Sequence, residues 1–154
     1  MKVGILNVIK NNFILGDIMS KDKLRVFNKN NNNMYYLEEE DYIILDYNKR
    51  NGWTLKTLWT DNEPKIIAYS DEIIIMDYIR LKDKNMKEIY EEDIIRVDVT
   101  SNAGLDKNYL EGVVEFHKGQ YSLKVYERSY YPLSSYYWDM GNENLEKIGN
   151  TLEG

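Results

Sequence analysis

The sequence predicts an all-β barrel or sandwich. Three observations predict it. Short apolar segments alternate with polar residues at a period of two, and turn residues punctuate them at close spacing. Ile and Tyr are abundant, and both suit a pleated, half-buried surface. With 154 residues, 43 % of them hydrophobic, the chain has the size of one ordinary domain and enough apolar side chain for a core. An aromatic share of 13 % is far from the composition of a disordered chain.

The elements follow in order. Residues 1–20 read as an N-terminal extension or added strand, because Val3, Ile5 and Val8-Ile9 suit a sheet edge. Met19-Ser20-Lys21 is an alternative translation start. Leu24 to Phe27 is extended, Asn28 to Asn33 turns, since Asn tolerates left-handed backbone, and Met34 to Leu37 resumes as a strand. Tyr42 to Leu45 and Trp53 to Trp59 flank Asn51-Gly52, a strong hairpin signal. Trp53, Leu55, Thr57 and Trp59 then share one face. A boundary near Pro64 separates a β-meander over 21–63 from a barrel region over 64–154. Lys65 to Tyr69 opens the second part.

Asp71 to Leu81 supports two readings: Ile74, Asp77, Tyr78 and Leu81 fit a helical period, whereas Ile73-Ile74-Ile75 favours a strand. Further on, Ile95, Val97 and Val99 alternate with Arg96 and Asp98. Gly112 to Phe116 and Tyr121 to Tyr126 flank the turn at Lys118-Gly119, and Leu145 to Asn150 closes the chain.

Composition excludes several functions. Without Cys there are no disulfides, thiolate metal sites or Cys nucleophiles, and one histidine, His117, rules out a multi-His metal site. A net charge of −6 disfavours a broad electrostatic grip on nucleic acid. No run approaches the roughly 18 apolar residues of a membrane span, and the N-terminus lacks a signal-peptide pattern, so the expected compartment is the cytoplasm. Neither GxGxxG nor GxxxxGKS occurs. The chain holds 16 Ile, 15 Lys, 17 Asn and 14 Tyr, which have AT-rich codons, and only 2 Ala, 5 Arg and 2 Pro. That bias points to a low-GC bacterium or a phage living in one.

The segment Leu81-Lys82-Asp83-Lys84-Asn85-Met86-Lys87-Glu88-Ile89-Tyr90-Glu91-Glu92-Asp93-Ile94-Ile95 resembles the central signature of the YopX family of phage and prophage proteins. Lys23 to Phe27 before Met34-Tyr35, Gly112 to Phe116, and Ile148-Gly149-Asn150 fall in the family's order, so the resemblance spans about residues 21–154. It implies a compact β-rich fold with SH3-like barrel character, a homo-oligomer and a phage or prophage source. It brings no catalytic residues. Arg80, Met86 and Glu92 stand where the family pattern has glycine, a residue that permits positive φ. A side chain there costs roughly 1 kcal/mol or more if φ is positive.

Three groups of residues are candidates for chemistry. His117 would need an orienting carboxylate and a nucleophile to act in catalysis. Glu115 lies on its strand face and Ser122 across the hairpin, although an exposed turn histidine is the plainer reading. The acidic runs Glu38-Glu39-Glu40-Asp41 and Glu91-Glu92-Asp93 form a candidate binding surface, either a solvated face or one that mimics a phosphate backbone. Neighbours in a run do not converge on one point, so a Mg²⁺ or Ca²⁺ site is the weakest reading. The C-terminal aromatics Tyr126, Tyr130, Tyr131, Tyr136, Tyr137 and Trp138 suit core and oligomer contacts, a partner-protein site, or base stacking.

The expected function is a non-catalytic phage or prophage accessory protein that binds a host macromolecule, a host protein first. Small acidic phage proteins without enzyme motifs often neutralise a CRISPR effector or nuclease. Two alternatives are an oligomeric module that traps a nucleotide through Tyr or Trp stacking with Arg25, Arg80 or Arg96, and a nucleic-acid-binding SH3-like protein that net charge disfavours. No cofactor, metal site or enzyme activity is expected.

Overall fold

The computed structural model describes residues 23–37, 39, 43–57, 64–98, 109–134 and 142–153. The chain is mainly β, and the sheet around its first strand curls into a half-barrel. It divides into two compact units, Met1–Asp77 and Tyr78–Gly154. Residues 64–77 therefore belong with the first unit, and the division falls inside a strand rather than near Pro64. The reason is pairing: both strands of that stretch bond to earlier strands. The expected extension over 1–20 lies outside the described residues.

In the first unit, β1 (Leu24–Asn28) is central, with β2 (Asn33–Tyr36) antiparallel on one side. The Asn-rich turn between them is built from side chains. Asn28 Oδ1 accepts the Asn30 amide at 2.9 Å, Asn31 Oδ1 accepts the Asn33 amide at 3.1 Å, and Asn32 adopts φ +57°. Asn pays less than most residues for that backbone because its short amide can bond locally. The meander β3 (Ile43–Asn48), β4 (Gly52–Thr57) and β5 (Lys65–Tyr69) is antiparallel throughout. At its first turn the Asn51 amide closes on the Asn48 carbonyl at 3.2 Å. Gly52 then takes φ +71° to rejoin the ladder opposite Asn48. Leu24, Val26, Ile43, Leu45, Leu55 and Ala68 form this unit's core.

The stretch that also fits a helical period is a strand, β6 (Ile73–Lys82). Ile73 to Asp77 pair with β1, and the β-branched run Ile73-Ile74-Ile75 favours that extended backbone. Ile73 and Met76 are both buried although they point to opposite faces. A strand buried on both sides loses its period of two, which is what imitates a helix here.

The second unit holds a five-stranded antiparallel sheet. Its strands are β8 (Asp93–Asp98), β9 (Tyr109–His117), β10 (Gln120–Tyr126), β11 (Ser129–Pro132) and β12 (Leu145–Asn150). They lie in the order β11-β10-β9-β8-β12. The short β7 (Glu88–Tyr90) pairs with the end of β6. Ile89, Ile95, Val97, Val114, Leu123 and Leu145 fill the core, so Ile95 and Val97 face inward while Arg96 and Asp98 face outward, as alternation predicts.

Two glycines are needed here. A Cβ at Gly112 would collide with the Lys124 backbone carbonyl of the paired strand β10. Lys118 and Gly119 both take positive φ, +47° and +85°, in the two-residue turn that joins His117 to Gln120. Such a turn matches the right-handed twist of its flanking strands.

Candidate functional site

Two regions of the second unit carry most of the predicted residues that are described, and they differ in kind. The first is the signature segment, Leu81 to Ile95. The Asp83 side chain is fully buried, and its oxygens are spent on the backbone. Oδ1 accepts the Asn85 and Lys87 amides at 2.8 and 2.9 Å, and Oδ2 accepts the Lys147 amide of β12 at 3.0 Å. The Met86 amide closes the same turn on the Asp83 carbonyl at 2.9 Å. A carboxylate that collects several backbone N–H donors stabilises a tight turn through charge-assisted bonds.

Asp93 repeats the device. Its Oδ2 accepts the Tyr90 amide at 2.8 Å and pairs with Lys147 Nζ at 3.0 Å, in a site where the aspartate is 0 % exposed. Lys147 Nζ also donates to the Glu88 carbonyl at 3.4 Å and lies 6.0 Å from the centre of the Tyr90 ring. Lys147 therefore holds both aspartates, one through its amide and one through its ammonium.

This corrects the reading of Asp93 as part of a binding surface: burial and the Lys147 pair make it a structural staple. Glu91 and Glu92 form the turn above it and are half-buried. The Glu92 amide donates to the Val114 carbonyl, and its carboxylate accepts the Thr151 hydroxyl. Of the other acidic run, Glu39 is exposed, and Glu38, Glu40 and Asp41 lie outside the described residues.

Arg80, Met86 and Glu92, which the resemblance sets at glycine positions, all take positive φ, at +64°, +64° and +69°. Arg80 sits at an irregularity of the β6–β7 ladder, Met86 in the Asp83 turn and Glu92 in the Asp93 turn. Left-handed backbone under a side chain costs about 1–2 kcal/mol per residue. The fold keeps the backbone that glycine would supply and carries that strain.

The second region is the three-stranded part β9-β10-β11. Cross-strand partners share a face, so Glu115 lies opposite Ser122 as expected, and Lys124 opposite Tyr130. On this face the His117 and Tyr130 rings stack in parallel at 3.6 Å with an angle of 2°. The Tyr130 hydroxyl donates to Glu115 Oε2 at 3.4 Å, and Lys124 Nζ pairs with Glu115 Oε1 at 3.1 Å. The hydrogen bond and charge of Glu115 raise the pKa of Lys124. Ser122 is buried and His117 contacts Tyr130, so these residues are not arranged as a nucleophile and its base.

On the other face, Phe116 meets Tyr121 edge-on at 5.1 Å and is 59 % exposed, although Tyr121 itself packs on the core. Tyr126 is 73 % exposed, while Tyr131 packs on the core. Tyr136, Tyr137 and Trp138 lie outside the described residues. Phe116 is the residue that sequence reasoning missed. It belongs to the alternating run Val114–Phe116, which predicts an inward side chain, yet it is exposed. Among the described residues, no three His, Asp or Glu side chains lie close enough to hold a metal ion, and no helix is long and apolar enough to cross a membrane.

Comparison with known proteins matches residues 23–154 to the family described as YopX protein. The chain belongs to that family. No curated protein matches it. Among solved structures it is similar to protein YopX from Bacillus subtilis, at 20 % identity and a TM-score of 0.59, over 85 % of this chain and 91 % of that one. It is also similar to protein EF1440 from Enterococcus faecalis, at 18 % identity and a TM-score of 0.52, over 86 % of this chain and 94 % of that one. These likenesses carry the fold.

Proposed function

We propose that this YopX-family chain is a non-catalytic accessory protein of a phage or prophage that works in the bacterial cytoplasm by binding a host protein. Inhibition of a defence system, such as a CRISPR effector or nuclease, is the outcome that suits a small acidic binder. The observation that carries the reading is a pair of exposed aromatic residues at opposite ends of β10: Phe116, opposite Tyr121 beside the β9–β10 turn, and Tyr126 at the β10–β11 turn. Phe116 and Tyr126 are the two most exposed aromatic residues among those described, and both project from a rigid, hydrogen-bonded sheet. Aromatic side chains on ordered strands give large contact area at low entropy cost, which favours protein interfaces. The signature segment is the weaker candidate, because Asp83, Asp93 and Lys147 are committed to holding turns.

Base stacking has less support, since the Tyr130 ring already has one face covered by His117 and the adjoining charges pair with each other. Capture from host lysate with tagged protein tests the reading. A stoichiometric host protein retained after nuclease treatment is expected. Capture only of nucleic acid, or loss of every partner with nuclease, would overturn it.

A further inference from the structure

We infer that Met86 is an oxidation site for peroxide-class oxidants, and that its sulfoxide stiffens the Asp83 turn through Asn142. Three observations converge on it. Among the described methionines, Met86 is 62 % exposed, Met76 is 1 % exposed and Met34 is half-buried, so of these three oxidant reaches the Met86 thioether first. Met86 Sδ accepts the Asn142 side-chain amide at 3.8 Å, and the same Nδ2 donates to the Asp83 carbonyl at 3.4 Å. That carbonyl also accepts the Met86 amide. The thioether is thus wired to the turn that buries Asp83. Finally, Met86 sits at φ +64°, so the backbone strain of this turn falls on the residue whose thioether meets Asn142.

The step balances. The sulfur lone pair attacks one peroxide oxygen, the O–O bond breaks, an S–O bond forms, and the other oxygen leaves as water after proton transfer. Sulfur loses two electrons and the peroxide gains them. A thioether is a weak acceptor and a sulfoxide oxygen a strong one, so the Asn142 amide gains a better partner without leaving the turn. Thiol-dependent sulfoxide reductases restore the thioether, one for each sulfoxide epimer.

The test exposes the folded, full-length protein to hydrogen peroxide and follows each methionine by peptide mapping. Amide exchange at Met86 is then read by NMR before and after oxidation. Met86 is expected to oxidise at least about tenfold faster than Met76. Its amide should exchange severalfold more slowly in the oxidised protein. Asn142→Ala should oxidise at the same rate and show no slowing, and Met86→Leu should keep the fold and show no response at this turn. Equal oxidation of Met76 or Met34, or unslowed exchange at the Met86 amide in oxidised wild type, would overturn the inference. The same slowing in Asn142→Ala or Met86→Leu would overturn it too.

Discussion

The signature segment and the aromatic sheet lie in the same unit, yet they use side chains in opposite ways. Around Asp83 and Asp93, polar groups are buried and bound to backbone, and Lys147 ties the two turns together. On β9-β10-β11, apolar rings that could be buried are left in solvent. The most recognisable residues of this chain hold the fold, while the exposed rings proposed as its binding surface belong to no motif. Buried carboxylates tolerate few changes around them, because losing a partner leaves an uncompensated charge. An exposed ring can change without unfolding anything.

The largest effect that separates the two regions comes from Lys147→Met. It leaves Asp93 buried without its cation, and breaking such a pair costs about 3–5 kcal/mol. Chemical denaturation should show that loss at an unchanged slope. A loss below about 1 kcal/mol, the size of a surface pair, would break the comparison.

Restoring glycine sharpens it in the other direction. Met86→Gly removes the left-handed strain but loosens the unfolded chain, so a net gain of about 0.5–1 kcal/mol is expected. Glu92→Gly should gain less, because it also removes the carboxylate bonded to Thr151. A loss of stability in Met86→Gly would show that the side chain contributes more than the strain it causes.

The smallest effect is in pH dependence, where both regions behave alike. The pKa of Lys84 is raised by its hydrogen bond to Glu146, and that of Lys124 by its bond to Glu115. A raised folded pKa means that each contribution is complete below the ordinary lysine value of 10.5 and fades as pH climbs through the folded value. Lys84→Gln and Lys124→Gln should each make the alkaline loss of stability shallower, read by urea unfolding on either side of that pH. An unaltered alkaline limb in either variant would remove that pair from the account. Glu72 mirrors them on the acid side. The Tyr69 amide, with Asn30 and Lys29, lowers its pKa below 4.5, so its contribution is lost as pH falls through that lower value.

Much of the fold is legible in the sequence wherever one face of a strand is buried. Ile95 and Val97 alternate cleanly, and the turns at Asn51-Gly52 and Lys118-Gly119 stand where the residue types require them. The positive φ values of Arg80, Met86 and Glu92 are legible too, because glycine in the related pattern states the backbone requirement. What is not legible depends on distant partners. Glu91-Glu92-Asp93 reads as a solvated run until Lys147 arrives from β12, a strand that also reaches Asp83 across 64 residues of chain. β6 hides its period by burying both faces, and β11 hides in a short segment ending at Pro132. Phe116 alternates correctly and is exposed all the same, opposite a Tyr121 that packs on the core.

The most direct test of the division between fold and surface is the double variant Phe116→Ser/Tyr126→Ser, used as bait in host lysate treated with nuclease, with its melting curve recorded alongside. The account predicts a melting temperature close to wild type, since changes at exposed sites stay within about 0.5 kcal/mol, and loss of the captured host protein. Full capture by a variant that melts like wild type would contradict it and return the binding surface to the rest of the molecule.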